Sequence, residues 1–245
     1  MLFWLSFSVL EDDHCERWQK YSCKYGIPLE QLTEIFRAHG YHLVPFTDSD
    51  EDLDAYMRIR NNECYDPKYI ELYAGGKPDE KDYCRKRCKF RVQGIESLRS
   101  LSLFIVLDSG ELIGWISVGP LDGKETKKAE IAHMIWQRYS GYKMECHKHH
   151  LSTETLGKTI SIVEQLKARG IFHAEFLHAT VHPKNIKPIK ILEKNGFFSN
   201  GEISETQWGP RKTYSRPLRE RLLQVSSDSL KPQPSVPQRC PCAND

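Results

Sequence analysis

The segment from Leu151 to Gly170 constrains the fold most, because it reads as an amphipathic helix set between strand-like runs. Leu156, Ile160, Val163 and Leu166 recur at helical spacing, Ser152 stands where an N-cap belongs, and Gly170 where a helix ends. Before it, Leu101 to Leu107 and Glu111 to Val118 flank the turn Asp108-Ser109-Gly110 and predict a hairpin, with a third strand from Ala129 to Trp136. After it, Phe172 to Val181 is strand-like again. A helix that carries the chain between strands of one sheet is a crossover, and it buries its apolar stripe on the face of that sheet. The reading is an α+β (α/β) layered fold, a mixed twisted sheet flanked by helices.

The remaining length divides around that unit. Leu29, Leu32, Ile35 and Phe36 predict a helix closed by Gly40, so residues 1–40 read as an N-terminal helical extension. Tyr41 to Phe46 is strand-like, Thr47 and Asp48 suit helix caps, and Leu53, Tyr56, Met57 and Ile59 mark an amphipathic helix. Asn185 opens a short helix that turns Ile189 and Leu192 inward and stops at Asn195-Gly196. Phe197-Phe198 and Lys212 to Ser215 then predict two closing strands. The domain spans 41–217, and 218–245 reads as a short helix and a disordered tail, where Ser and Pro leave nothing to bury.

Composition excludes several classes. Five Trp, eleven Tyr and ten Phe in 245 residues supply a core, so the chain is not wholly disordered. No run approaches the roughly 20 apolar residues that span a bilayer. Lys and Arg number 35 against 33 Asp and Glu, and a net charge of +2 gives no global attraction to nucleic acid or membranes. The apolar start, Met1 to Leu10, lacks a basic flank and runs into Glu11-Asp12-Asp13, so it reads as a buried or partner-facing segment and a cytoplasmic location is expected. None of the eight Cys forms a CxxC pair, which removes the zinc-ribbon and thioredoxin readings and leaves thiols used as small apolar residues. The contiguous tract Cys146, His147, His149 and His150 projects its side chains apart, and no metal is expected there. Arg85, Lys86, Arg87, Lys89 and Arg91 read as the solvated face of a helix, with docking to RNA as the alternative.

The stretch Leu177 to Phe197, with Asn185 and the ending Leu192-Glu193-Lys194-Asn195-Gly196-Phe197, resembles the carboxy-terminal motif of GNAT-type N-acetyltransferases. Leu43-Val44-Pro45-Phe46-Thr47 followed by Asp52-Leu53-Asp54 resembles the first strand and helix of the subgroup that acetylates ribosomal proteins and protein N-termini. Gly110 to Ile116 is similar to that family's hairpin, and Ala129-Glu130-Ile131 to the start of its fourth strand. The resemblance covers residues 41–217.

It implies the GNAT acyl-CoA N-acyltransferase fold, in which two strands splay and the pantetheine arm of CoA lies between them, pairing with backbone groups a closed sheet would consume. It also implies acetyl-CoA as co-substrate, held by Met134, Ile135, Trp136, Ser140, Gly141, Tyr142, Lys143 and Asn185, with the pyrophosphate at the helix N-terminus near Ser152. Asn185 either reaches the cofactor arm or serves as a plain N-cap, and the Met134 N–H is the implied oxyanion donor. Direct acyl transfer to an amine needs a base, for which Glu130 and His133 are the candidates, His133 being equally readable as a packed strand histidine. The chain departs from the family at the phosphate loop. Lys143 and Glu145 stand where small residues let the backbone wrap phosphates. Leu192 occupies the place of a Tyr acid and Pro188 that of a Ser, so CoA would leave as thiolate or take a proton from water. The expected activity is acetyl transfer to an amine of a protein or peptide, or to a small-molecule amine. The alternative is a GNAT-fold binding module without turnover.

Overall fold

The described residues form eight strands: β1 (Arg37–Ala38), β2 (Tyr41–Pro45), β3 (Leu101–Leu107), β4 (Leu112–Pro120), β5 (Lys128–Ile135), β6 (Phe176–Val181), β7 (Ile203–Thr206) and β8 (Gly209–Pro217). Between them lie α1 (residues 15–25), α2 (Leu29–Phe36), α3 (Asp50–Asn61), α4 (Lys81–Glu96), α5 (Leu151–Ala168) and α6 (Ile186–Lys194). The computed structural model describes residues 15–47, 49–61, 81–97, 99–120, 127–136, 139, 141–142 and 150–219. The strands form one mixed sheet in the order β1-β2-β3-β4-β5-β6-β8-β7. Every neighbouring pair is antiparallel except β5 and β6, the pair that the α5 crossover forces to run parallel.

Register assigns the faces. Phe104, Trp115 and Met134 lie abreast across β3, β4 and β5, as do Ser102, Ser117 and Ala132, while Gly119 faces Glu130. The period of two puts all of them on one side of the sheet. Tyr56 of α3 and Arg91 of α4 pack on the Trp115 ring, so these two helices cover that side. Ile116 and His133 point the other way, toward α5, where His133 meets Thr155. α6 lies beside α5, and Asn195 Nδ2 donates to Thr153 O at 3.2 Å. A buried bridge from Arg216 to Glu164 ties β8 to α5 at 3.2 Å.

Several local expectations change in three dimensions. The second helix ends at Phe36, before Gly40, because Arg37 and Ala38 turn back to pair with β2. Gly40, at φ +88°, instead closes the two-residue turn of that hairpin. Ser49 rather than Thr47 caps α3, its Oγ accepting from Asp52 N at 3.2 Å; the other expected cap, Asp48, lies outside the described residues. α5 begins at Leu151, so His150 is the N-cap and Ser152 is buried within the first turn. Phe197-Phe198 makes only an isolated bridge to Ser215, and the outer strand is β7, whose four residues are all exposed and carry no alternation to read. Arg91, expected on a solvated face, is 7% exposed.

Residues 15–36 enter the same core as the sheet. Trp18, Tyr21 and Tyr25 are buried, Trp18 stacks on Phe36, and its Nε1 donates to Leu43 O at 3.2 Å. Arg17 grips Asp52 with Nη1 at 2.8 and 3.0 Å. Cys84 and Cys88 are buried cysteines on α4, and burial pushes the Cys88 thiol up to about 12. Among the described residues no helix is long and apolar enough to cross a membrane, and no group of three His, Cys, Asp or Glu is placed to hold a metal ion. The 146–149 tract, the first fourteen residues and residues 220–245 lie outside the described residues.

Gly114 sets the spacing of β4 and β5, since a Cβ there would lie 2.4 Å from Met134 O and 3.1 Å from Ile135 Cα. Backbone cannot step aside as a flexible side chain can. Gly114→Ala is expected to cost about 1–3 kcal/mol, read as a lower urea midpoint. An unchanged midpoint would show that β5 moves freely against β4.

Candidate active site

The crossover makes β5 and β6 parallel but pairs them only briefly, at Lys128 with Phe176, Ala129 with Leu177, and Glu130 with His178. Beyond that point β5 runs on to Ile135 and β6 to Val181 without pairing, so a gap opens between them. Which backbone groups face it follows from alternation. Lys127 O accepts from Glu175 and Phe176 across to β6, so odd-numbered residues of β5 present their groups there. Trp136 N donates to Ile113 O, so even-numbered ones turn to β4. His133 and Ile135 therefore direct backbone groups at the gap, whereas the Met134 N–H, the donor implied by the family resemblance, is turned to the β4 edge.

Glu130 stands at the apex of the gap, on the side covered by α3 and α4. Its side chain is open to solvent, yet surrounding protein desolvates the carboxyl and raises its pKa above the ordinary carboxylate value, partly offset by Arg87 and Arg91. His133 projects from the opposite side of β5. Its Nε2 and Thr155 Oγ1 lie 3.0 Å apart in a hydrogen bond, and burial lowers its pKa to about 4, so the ring is neutral at pH 7. The two candidate bases are thus separated by the sheet itself.

A residue the sequence reading passed over joins Glu130 instead. His178 is its cross-strand partner on the same face, with strands about 4.8 Å apart. His178 Nδ1 and Ser215 Oγ are hydrogen-bonded at 2.9 Å, which lines up Glu130, His178 and Ser215 across three strands. Only register reveals this row.

At the far end of the gap, Gly141 adopts φ +99° in open space and Tyr142 is exposed, while Ser140 and Lys143 lie outside the described residues. Trp136, Tyr139 and Tyr142 form an aromatic chain, with centroids 6.5 and 5.6 Å apart. The N-terminus of α5 is partly consumed: Leu151 N donates to Tyr142 O, and Thr153 and Glu154 N donate to His150 O. Asn185 is the N-cap of α6 by position but makes no capping bond, and its Oδ1 is buried without a hydrogen-bond partner. A buried carbonyl left so is costly, and it suits an N–H donor arriving from the gap. The gap and this oxygen fit an amide-bearing arm. Leu192 is buried at the inner face of α6.

An acetyltransferase (GNAT) domain matches residues 42–198. The chain belongs to the GNAT acetyltransferase family. Solved GNAT structures share the fold at low identity. An acetyltransferase of this family from Bacillus anthracis is 15% identical with a TM-score of 0.53, covering 74% of this chain and 97% of its own. The ribosomal-protein-S5-alanine acetyltransferase of Vibrio fischeri is 14% identical, TM-score 0.55, with coverages of 75% and 96%. The spermidine N-acetyltransferase of Vibrio cholerae, solved with CoA and spermine, is 14% identical, TM-score 0.52, with coverages of 74% and 97%. No curated protein matches by sequence.

Proposed function

We propose that this GNAT protein transfers an acetyl group from acetyl-CoA to an amine of a protein or peptide, in the cytoplasm, through the domain at 41–217. The observation that carries the reading is the end of β5–β6 pairing at Glu130 and His178, which leaves a gap with a carboxylate of raised pKa at its apex. Acetyl-CoA supplies the thioester. Glu130 is the base: it takes one proton from the acceptor ammonium, the neutral nitrogen then bonds to the acetyl carbon, and as the carbon–sulfur bond breaks the nitrogen gives its second proton to water. His178, hydrogen-bonded to Ser215, stands beside Glu130 on the same face, and backbone groups of His133 and Ile135 face the thioester oxygen. Asn185 Oδ1 receives an amide of the arm. With Leu192 buried where an acid would stand, the sulfur leaves as thiolate.

Both a ribosomal-protein acetyltransferase and a spermidine acetyltransferase share the fold, so the acceptor panel includes both kinds. A second reading, a binding module without turnover, is favoured by the spent N–H groups of Leu151 and Thr153, which leave little for a pyrophosphate at α5. One experiment separates them. Acetyl-CoA at a hundred times its Kd is expected to stabilise the protein by about 2.7 kcal/mol, seen as a raised Tm, with CoA released on the amine panel. A raised Tm without CoA release on any amine selects the module. An unmoved Tm at millimolar acetyl-CoA removes the transfer reading.

A further inference from the structure

Arg91 is buried among rings, and among the described residues no carboxylate is ion-paired or hydrogen-bonded to it. Its guanidinium lies 4.5 Å from the Trp115 centroid, 5.5 Å from Tyr56 and 5.9 Å from Phe46. Those faces offset part of the cost of burying a cation, but they accept none of its five N–H groups well. Its Nε is fully buried with no hydrogen-bond partner. The nearby buried acid is already engaged, because Asp52 accepts from Arg17 Nη1, from Thr47 N at 2.6 Å and from Thr47 Oγ1 at 2.9 Å. A buried charge with no bonded anion has N–H groups left to donate to one.

Its position says which anion. Trp115 and Glu130 share the face beneath α3 and α4, and Arg91 and Arg87, one helical turn apart on α4, both act on the Glu130 carboxylate. Met134, abreast of Trp115, lies four residues along β5 from Glu130, about 13 Å at the rise of a strand. An acceptor that reaches both Glu130 and the row of Trp115 therefore needs a few residues of chain. We infer that Arg91 anchors an acidic side chain of a peptide acceptor whose amino terminus lies at Glu130. This rests on the amine-acetylating reading and names the class of its acceptor: peptides with Asp or Glu shortly after the terminal amine. Cationic amines such as spermidine would be disfavoured.

The test is a set of labelled hexapeptides carrying Asp or Glu, or their Asn and Gln twins, at positions two to four. Binding is measured by anisotropy with CoA saturating, and CoA release is measured in parallel from acetyl-CoA. At one position the acidic peptide is expected to bind about 10- to 100-fold more tightly than its amide twin. That ratio should vanish in Arg91→Met and shrink in Arg91→Lys, which keeps a charge over the rings but loses the planar fork. Because the ratio is taken within one protein, a general loss of stability does not mimic the effect, and the wild-type panel needs no variant. Equal binding of acid and amide twins at every position overturns the inference, as does a ratio retained in Arg91→Met or an absence of peptide binding. An acidic preference in binding without CoA release keeps the anchor and overturns the transfer reading instead.

Discussion

Glu130→Gln is expected to lower acetyl transfer by about 10²- to 10⁴-fold, the usual contribution of a positioned general base. The variant keeps the shape of the side chain and removes only its ability to take a proton. The carboxylate is the working form, and desolvation raises its pKa. kcat/KM should therefore fall as pH drops through a value above the ordinary carboxylate range, and the Gln variant should lose that acid limb. His133 makes the contrast. Held neutral with a pKa of about 4, bonded to Thr155 on the other side of β5, it would place any inflection lower. A Glu130→Gln enzyme with unchanged rate and acid limb removes Glu130 as the base. Loss of the limb in His133→Ala alone would give the role to the histidine.

Trp115→Ala is expected to cost about 3–5 kcal/mol, the largest stability effect of a single truncation proposed for this chain. The indole is 1% exposed and sits abreast of Phe104 and Met134. Tyr56 and Arg91 pack on it, so its removal opens a cavity and takes away the nearest of the three rings over a buried guanidinium. The urea midpoint should fall with an unchanged slope, and Trp115→Phe should recover part of the loss. A loss below about 1 kcal/mol would mean that the site collapses around the gap, and Arg91 would then not depend on this ring.

Much of the scaffold was legible in the chain. The helix at 151–168, the hairpin of β3 and β4 and the short helix after Asn185 follow from periodicity and punctuation, which act between near neighbours. Less was legible where the signal was absent or misdirected. β7 has four exposed residues and no apolar alternation, and the helix at 15–25 buries Trp18, Tyr21 and Tyr25 against partners far along the chain. Arg91 lies in a run of basic residues that reads as solvated, and only the aromatic seat built by Phe46, Tyr56 and Trp115 explains its burial.

The same division runs through the site. By itself the sequence determined that Glu130 and His133 lie on opposite sides of their strand, because a strand alternates every residue. It also placed Asn185 at the start of its helix. Only the tertiary structure decided that Glu130 meets His178, that Ser215 stands behind it, and that pairing ends there. The register of two parallel strands joined by a long crossover is set by how α5 packs on the sheet, a long-range balance of burial that no local pattern records.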